Sequence, residues 1–331
     1  GVLCCALASD VAVCILWPAS VDLMQEVSDS AAAQSQAIWG LGIASRIAAA
    51  VAGPGFAALV KWFGWRCASA LSILPCIVSA ISVWSIRGRC STGIASTLKA
   101  HSAEPNCKEQ DNTFTHVFAH GEAITNMLKD GRVWMCAGAS SCLTGIKVFD
   151  TALVPLYIKE NVEHGLVNNA LAISLGPSFT LGVLFSVVVF GFIFTRMSGR
   201  KKVVLLTGLN CVSVSCMLAI ALDSAFVAKS LVHVYIRCVL LAGAGLGLGL
   251  SLYQPVGIFA LRIGGGNSSL LAGVMDGLSY LWSFVFVRMV GLLVEEPGGW
   301  TRVWWLCLFC YVCAMLFTHS YATHLFPSRD D

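Results

Sequence analysis

Seven ionisable side chains fall inside apolar runs long enough to cross a bilayer: Asp10, Arg46, Lys147, Asp150, Arg237, Asp276 and, nearer the edge of its run, Arg288. A charge near the bilayer centre costs about 2.5–3.5 kcal/mol on insertion scales, so such groups pair, line a watery cavity or meet a charged ligand. Lys147 stands mid-run in 133–158, too deep for its ammonium to snorkel comfortably to an interface. It either pairs with Asp150, three residues on and on the same helical face, or serves as a compact point charge for an anion where Arg would fork. Arg46 either faces a cavity or packs with its head drawn toward Asp10 or Asp22. Asp10 and Asp276 can carry a coupled proton, accept from hydroxyls, or bond to a neighbouring helix. Arg237 and Arg288 lie in the outer third of their runs and read as snorkelling or paired, with Arg237 alternatively part of an outer gate.

The elements that must position these groups follow from composition. Of 331 residues 57% are hydrophobic and 12% charged, with a mean hydropathy of +0.77; too few polar side chains exist to cover a water-soluble surface, and lipid must be the main solvent. A helix crosses the hydrocarbon core with roughly 20 apolar residues. Nine such runs lie near 1–17, 38–60, 65–86, 133–158, 168–195, 203–222, 229–254, 268–294 and 302–321. The expected fold is an all-α membrane protein of two helical bundles: a partial N-terminal bundle of three helices (1–86), a polar central loop (87–132), a six-helix bundle (133–322) and a tail (323–331). Lys and Arg fall twelve to five in favour of the side holding the central loop and the C-terminus, which makes that side cytoplasmic and places Gly1 outside.

Several function classes are excluded or weakened. The net charge of +3 reflects loop asymmetry, with no basic stripe for nucleic acid. No Walker pattern, cofactor motif or enzyme signature occurs. The 15 cysteines lie mostly in apolar runs, where thiols pack as small hydrophobes; Cys307, Cys310 and Cys313 have no His or acidic neighbour to complete a metal site. His116 and His120 lack a third ligand. The first run has no basic leader, so it does not read as a signal peptide. Asn267-Ser268-Ser269 forms a glycosylation sequon on the cytoplasmic side and is expected to be unmodified. A monomer is expected.

Two landmarks recur at a shift of 235 to 237 residues: Trp17-Pro18 with Tyr253-Gln254-Pro255, and Gly64-Trp65-Arg66 with Gly299-Trp300-Thr301-Arg302. Parallel repeats about an axis normal to the membrane build one class of secondary transporter. Spans seven to nine are preceded in their bundle by three others, whereas the matching first three have none before them. The expectation is nine helices of a twelve-helix architecture, lacking the first three. The run of Gly243, Gly245, Gly247 and Gly249 serves close helix packing, a bending gate helix, or both.

Gly191, followed by Thr195-Arg196-Met197-Ser198-Gly199-Arg200-Lys201-Lys202, resembles the second-half copy of the G-x-x-x-D-R-x-G-R-R cytoplasmic loop of the major facilitator superfamily, with Thr for the usual Asp and one extra residue. Trp17-Pro18, the stretches 64–72, 145–160 and 251–263, and their order resemble its organophosphate:phosphate antiporters, among them glycerol-3-phosphate and hexose-phosphate exchangers. The resemblance implies a substrate site at the bundle interface, with Lys147 at or within one turn of a phosphate-binding basic position and Arg46 within one position of a cavity residue. It also implies exchange of a phosphorylated metabolite, expected to be a hexose phosphate, for inorganic phosphate by alternating access. Asp150 would neutralise Lys147 when the site is empty, and Asp276 would join the site; Asp10 and Arg237 would serve coupling or gating. The family's first helix supplies a further basic ligand absent from these residues, so they are not expected to transport alone. Asp22 stands where relatives often carry a basic residue. The rival readings are a proton-driven carrier of an uncharged or organic molecule, titrating Asp10, Asp150 or Asp276, and a non-transporting receptor or scaffold.

Overall fold

A computed structural model of the chain describes residues 128–163, 166–167, 171–172, 175–264 and 267–326, with scattered positions between 36 and 125. The chain divides into two compact units, Gly1–Val51 with His120–Asp331, and Ala52–Ala119. The expected spans 1–17 and 65–86, most of 38–60, most of the central loop and the tail from 327 lie outside the described residues, as do Asp10 and Arg46.

Six helical elements make up the described part of the first unit. Helix α1 (Gly131–Glu160) starts where the carboxylate of Asp130 accepts from the Arg132 backbone N–H at 2.9 Å, and it carries Lys159 in its last turn. These charges complement the helix dipole at both ends. Its two arms, Gly131–Asp150 and Leu153–Glu160, meet at 53°. Pro155 lies in the second arm, where it removes a helical donor and crowds the preceding turn.

Helix α2 (Ser178–Arg196) contains one wide π-turn, Ser186–Phe190. The expected span 168–195 is therefore corrected: the chain turns at Gly176 and Pro177, and α2 begins after them. Proline suits a helix start, where its missing N–H has no partner to lose, and disfavours a helix running into it. Two residues then lead to α3 (Gly199–Asp223), followed by α4 (Leu231–Gly264), α5 (Ser268–Val294) and α6 (Gly299–Leu325). Helix α4 runs ten residues past its expected end at 254, with Pro255 inside it, a placement that neighbouring helices allow in membranes.

Among the described residues, five helices (α2 to α6) are long and apolar enough to cross a bilayer, and the bent α1 makes a sixth. Large apolar side chains such as Val239 and Val232, more than two-thirds exposed, cover the outside; lipid is the solvent that matches them.

Packing is closest along α4, which is wedged between α2 and α3. A Cβ at Gly245 would lie 2.3 Å from the Phe179 carbonyl oxygen of α2, and one at Gly182 of α2 would lie 1.9 Å from the Ala242 carbonyl oxygen. On the other side, a Cβ at Gly247 would meet Ser213 Oγ of α3 at 2.7 Å, the hydroxyl that accepts from the Gly247 backbone N–H at 2.7 Å. Alternate glycines of the run thus face different neighbours, because two residues along a helix turn the side-chain direction by about 200°. The small residues let backbones approach where lipid supplies no hydrophobic drive between helices.

Phe149, Tyr157 and Trp304 stack edge-on between α1 and α6, with Trp304 centred 5.2 Å from Phe149 and 4.9 Å from Tyr157. Such pairs contribute beyond the area they bury.

Gly298, just before α6, has φ 70, and in the second unit Gly64 has φ 78. Gly64 opens the first Gly-Trp landmark, whereas in the second copy the left-handed residue is Gly298, one position ahead of Gly299.

Candidate functional site

Helix α5 presents Asp276, Tyr280, Phe284 and Arg288 at four-residue spacing, so each neighbours the next along a row that turns by about 120° around the helix from first to last. The last three of these, with Val148 of α1 and Ser283 and Val287 of α5, line a groove of about 480 Å³. Arg288 lies twelve residues from Asp276, roughly 18 Å along the axis. At the Asp276 end, Lys147 of α1 is the opposite charge that acts on the Asp276 carboxylate. Both side chains are half-buried. The tight α1–α5 contact that sets this approach shows at Gly145, where a Cβ would lie 3.3 Å from the Phe286 ring, and in the Ser279 hydroxyl donating to Ser140 Oγ at 2.9 Å.

Asp150 is placed differently from its expected partner. Its carboxylate is buried and accepts from Thr180 Oγ1 of α2 at 3.0 Å, which ties this turn of α1 to α2. The helix spacing permits the Lys147–Asp150 pair; the contact with α2 adds a hydroxyl donor to Asp150.

Arg237 is 2% exposed and acts as a tie among loop ends. Its Nε donates to Asp223 Oδ2 at 2.5 Å, Nη1 to the Asn161 carbonyl at 2.8 Å, and Nη2 to the Phe226 carbonyl at 2.6 Å. His233 Nε2 lies 2.7 Å from the other oxygen of Asp223. A parallel bridge between Val162 and Ala228 joins the same two linkers. This fork joins the end of α1, the end of α3 and the linker before α4.

The loop motif sits at the α2–α3 junction. Gly191 lies inside α2 as the seat of an indole: a Cβ there would meet Trp39 Cδ1 at 2.6 Å, while Trp39 Nε1 donates to the Val187 carbonyl of the π-turn at 2.7 Å. Arg196 lies 3.8 Å over the Phe192 ring. Gly199 opens α3, and Arg200 and Lys201 are exposed in its first turn. Thr195, in place of the usual Asp, donates to the Phe192 carbonyl of its own helix at 2.8 Å.

Sequence reasoning passed over Tyr280 and set Arg288 aside as a snorkelling residue; the four-residue ladder from Asp276 is the signal that links them. Trp39 had no such signal, because its partner is a backbone carbonyl 148 positions away. Among the described residues no group of three His, Cys, Asp or Glu could hold a metal ion.

Long apolar helices, lipid-facing side chains and charges gathered between helices define an integral, multi-pass membrane protein. The family model for the Major Facilitator Superfamily matches residues 2–262, and the chain belongs to that superfamily of secondary transporters, whose members move small molecules and are generally not enzymes. No curated protein matches the chain.

Proposed function

We propose that the protein exchanges a phosphorylated metabolite, with hexose phosphate as the leading cargo, for inorganic phosphate by alternating access. The observation that carries this reading is a cation at each of two levels between α1 and α5: Lys147 acts on Asp276, and Arg288 lines the groove about 18 Å further along α5. An anion entering the groove meets Arg288, the charged residue of its lining. Asp276, on which Lys147 acts, shares with Asp150 the role of holding the charge of Lys147 when the site is empty. Bound phosphate competes with Asp276 for Lys147, and the carrier reorients with the site neutralised in either way. Arg46 is the proposed contribution of the N-terminal bundle, with Asp10 and Arg237 assigned to coupling or to the outer end.

A second reading rests on the same pair. A half-buried carboxylate acted on by a lysine within a membrane-spanning bundle is also suited to carrying a coupled proton, with Asp276 as the titrating group and an uncharged or organic cargo.

The test reconstitutes the longest natural form of the protein in proteoliposomes and follows labelled phosphate and hexose 6-phosphate, with and without Lys147→Gln. Uptake that requires internal phosphate and is lost in the variant supports exchange. Uptake driven by a pH gradient without internal phosphate, and lost in Asp276→Asn, supports the proton-coupled reading and overturns the first.

A further inference from the structure

A second cavity, of about 170 Å³, opens at the opposite end of the bundle, where α1 begins and α4 and α6 finish. Arg132, Arg262 and His324 supply its polar wall, and Phe259, Tyr321 and Leu325 supply apolar surface. Arg262 uses Nη1 to cap the Leu325 carbonyl at 2.6 Å, and its guanidinium lies 5.8 Å from the centre of the Phe326 ring. Lys202 approaches the same ring, its ammonium 5.3 Å from the centre and 5.0 Å from that of Phe194. Two like charges therefore share one aromatic platform and act on each other.

The nearby carboxylate is already engaged: Asp130 is held by Arg132, with Nη2 at 2.6 Å from Oδ2. Among the described residues neither Arg262 nor Lys202 has an acidic partner. Cations grouped this closely, with remaining guanidinium donors, call for an external anion. The fork of Arg262 suits a tetrahedral oxyanion.

We propose that this cavity binds a phosphate group, presented by the headgroup of an anionic phospholipid. The location favours a lipid source: the cavity lies at helix ends, the level of bilayer headgroups, and basic pockets between transmembrane helices take such groups. Its volume suits a headgroup, with the acyl chains left to run along the exposed apolar side chains. The site is separate from the α1–α5 groove, so its occupancy does not depend on the cargo proposed above.

The experiment titrates detergent-purified protein with short-chain phosphatidic acid, phosphatidylcholine and inorganic phosphate, reading retained ligand by native mass spectrometry and the thermal midpoint. Phosphatidic acid is expected to bind at one saturable site and raise the midpoint, while phosphatidylcholine does neither. Arg262→Gln is expected to weaken it roughly 10- to 100-fold through loss of a charge-assisted contact, and Lys229→Gln, at the other end of the bundle, to bind as the wild type does. Because Arg262 also caps α6, His324→Gln and Arg262→Lys are run beside it, and weaker binding by either folded variant supports the site. Equal binding of phosphatidylcholine, or unchanged binding of phosphatidic acid in these variants, overturns the proposal. Inorganic phosphate binding as tightly as the lipid, and lost in the same variants, overturns the lipid source in favour of the free anion.

Discussion

Replacing Arg237 by Leu removes a buried fork and leaves its partners behind. The guanidinium is 3% exposed and serves one carboxylate and the carbonyls of Asn161 and Phe226, with a longer contact of 3.2 Å to the Asp223 carbonyl. Breaking a buried ion pair by deleting one partner costs about 3–5 kcal/mol. Asp223 is itself 26% exposed and keeps His233 at 2.7 Å, so the lower end, about 3 kcal/mol, is expected. That is more than a hundredfold in the folding equilibrium. Arg237→Lys should recover part of it, since an ammonium can face Asp223 but cannot spread to both linkers. A thiol-reactive dye reports unfolding through the buried Cys136, Cys238, Cys307 and Cys310; the Leu variant should melt well below the wild type, with Lys between them. A Leu variant that melts with the wild type but fails to transport would refute the tie and restore the outer-gate role.

Two further outcomes follow from the packing and the cap. Gly182→Ala should prevent normal assembly, because its Cβ would overlap a backbone carbonyl at 1.9 Å, whereas Gly208→Ala, with open space around it, should be neutral or stabilising by up to about 1 kcal/mol; detergent size-exclusion profiles distinguish them. Asp130→Ala should lose about 1 kcal/mol of helix capping. The hydrogen bond from Arg132 holds the Asp130 carboxyl below its ordinary value of 3.8, so the contribution is complete above that value and disappears as pH falls through the lower folded one. Melts of the two proteins should differ at neutral pH and converge in strong acid.

The limits of the described helices were largely legible in the sequence. A lipid solvent forces apolar runs of a set length, and the edges of α5 coincide with the run 268–294. The largest differences involve proline: Gly176-Pro177 breaks one run, Pro155 lies in the bent arm of α1, and α4 continues ten residues past its expected end through Pro255. Sequence marks a proline but does not say whether surrounding helices will accommodate it, as they do at Pro255.

The site divides along the same line. Composition and apolar patterning alone determined that Lys147, Asp150, Arg237 and Asp276 are costly charges requiring partners, because hydrocarbon cannot solvate them. Which partner each meets was decided only by tertiary structure. Helical spacing offers Asp150 as a mate for Lys147; packing of α1 against α2 and α5 adds Thr180 as a donor to Asp150 and brings Lys147 to act on Asp276. Periodicity within one helix specifies which face a residue occupies; only the packing of a second helix specifies what that face meets.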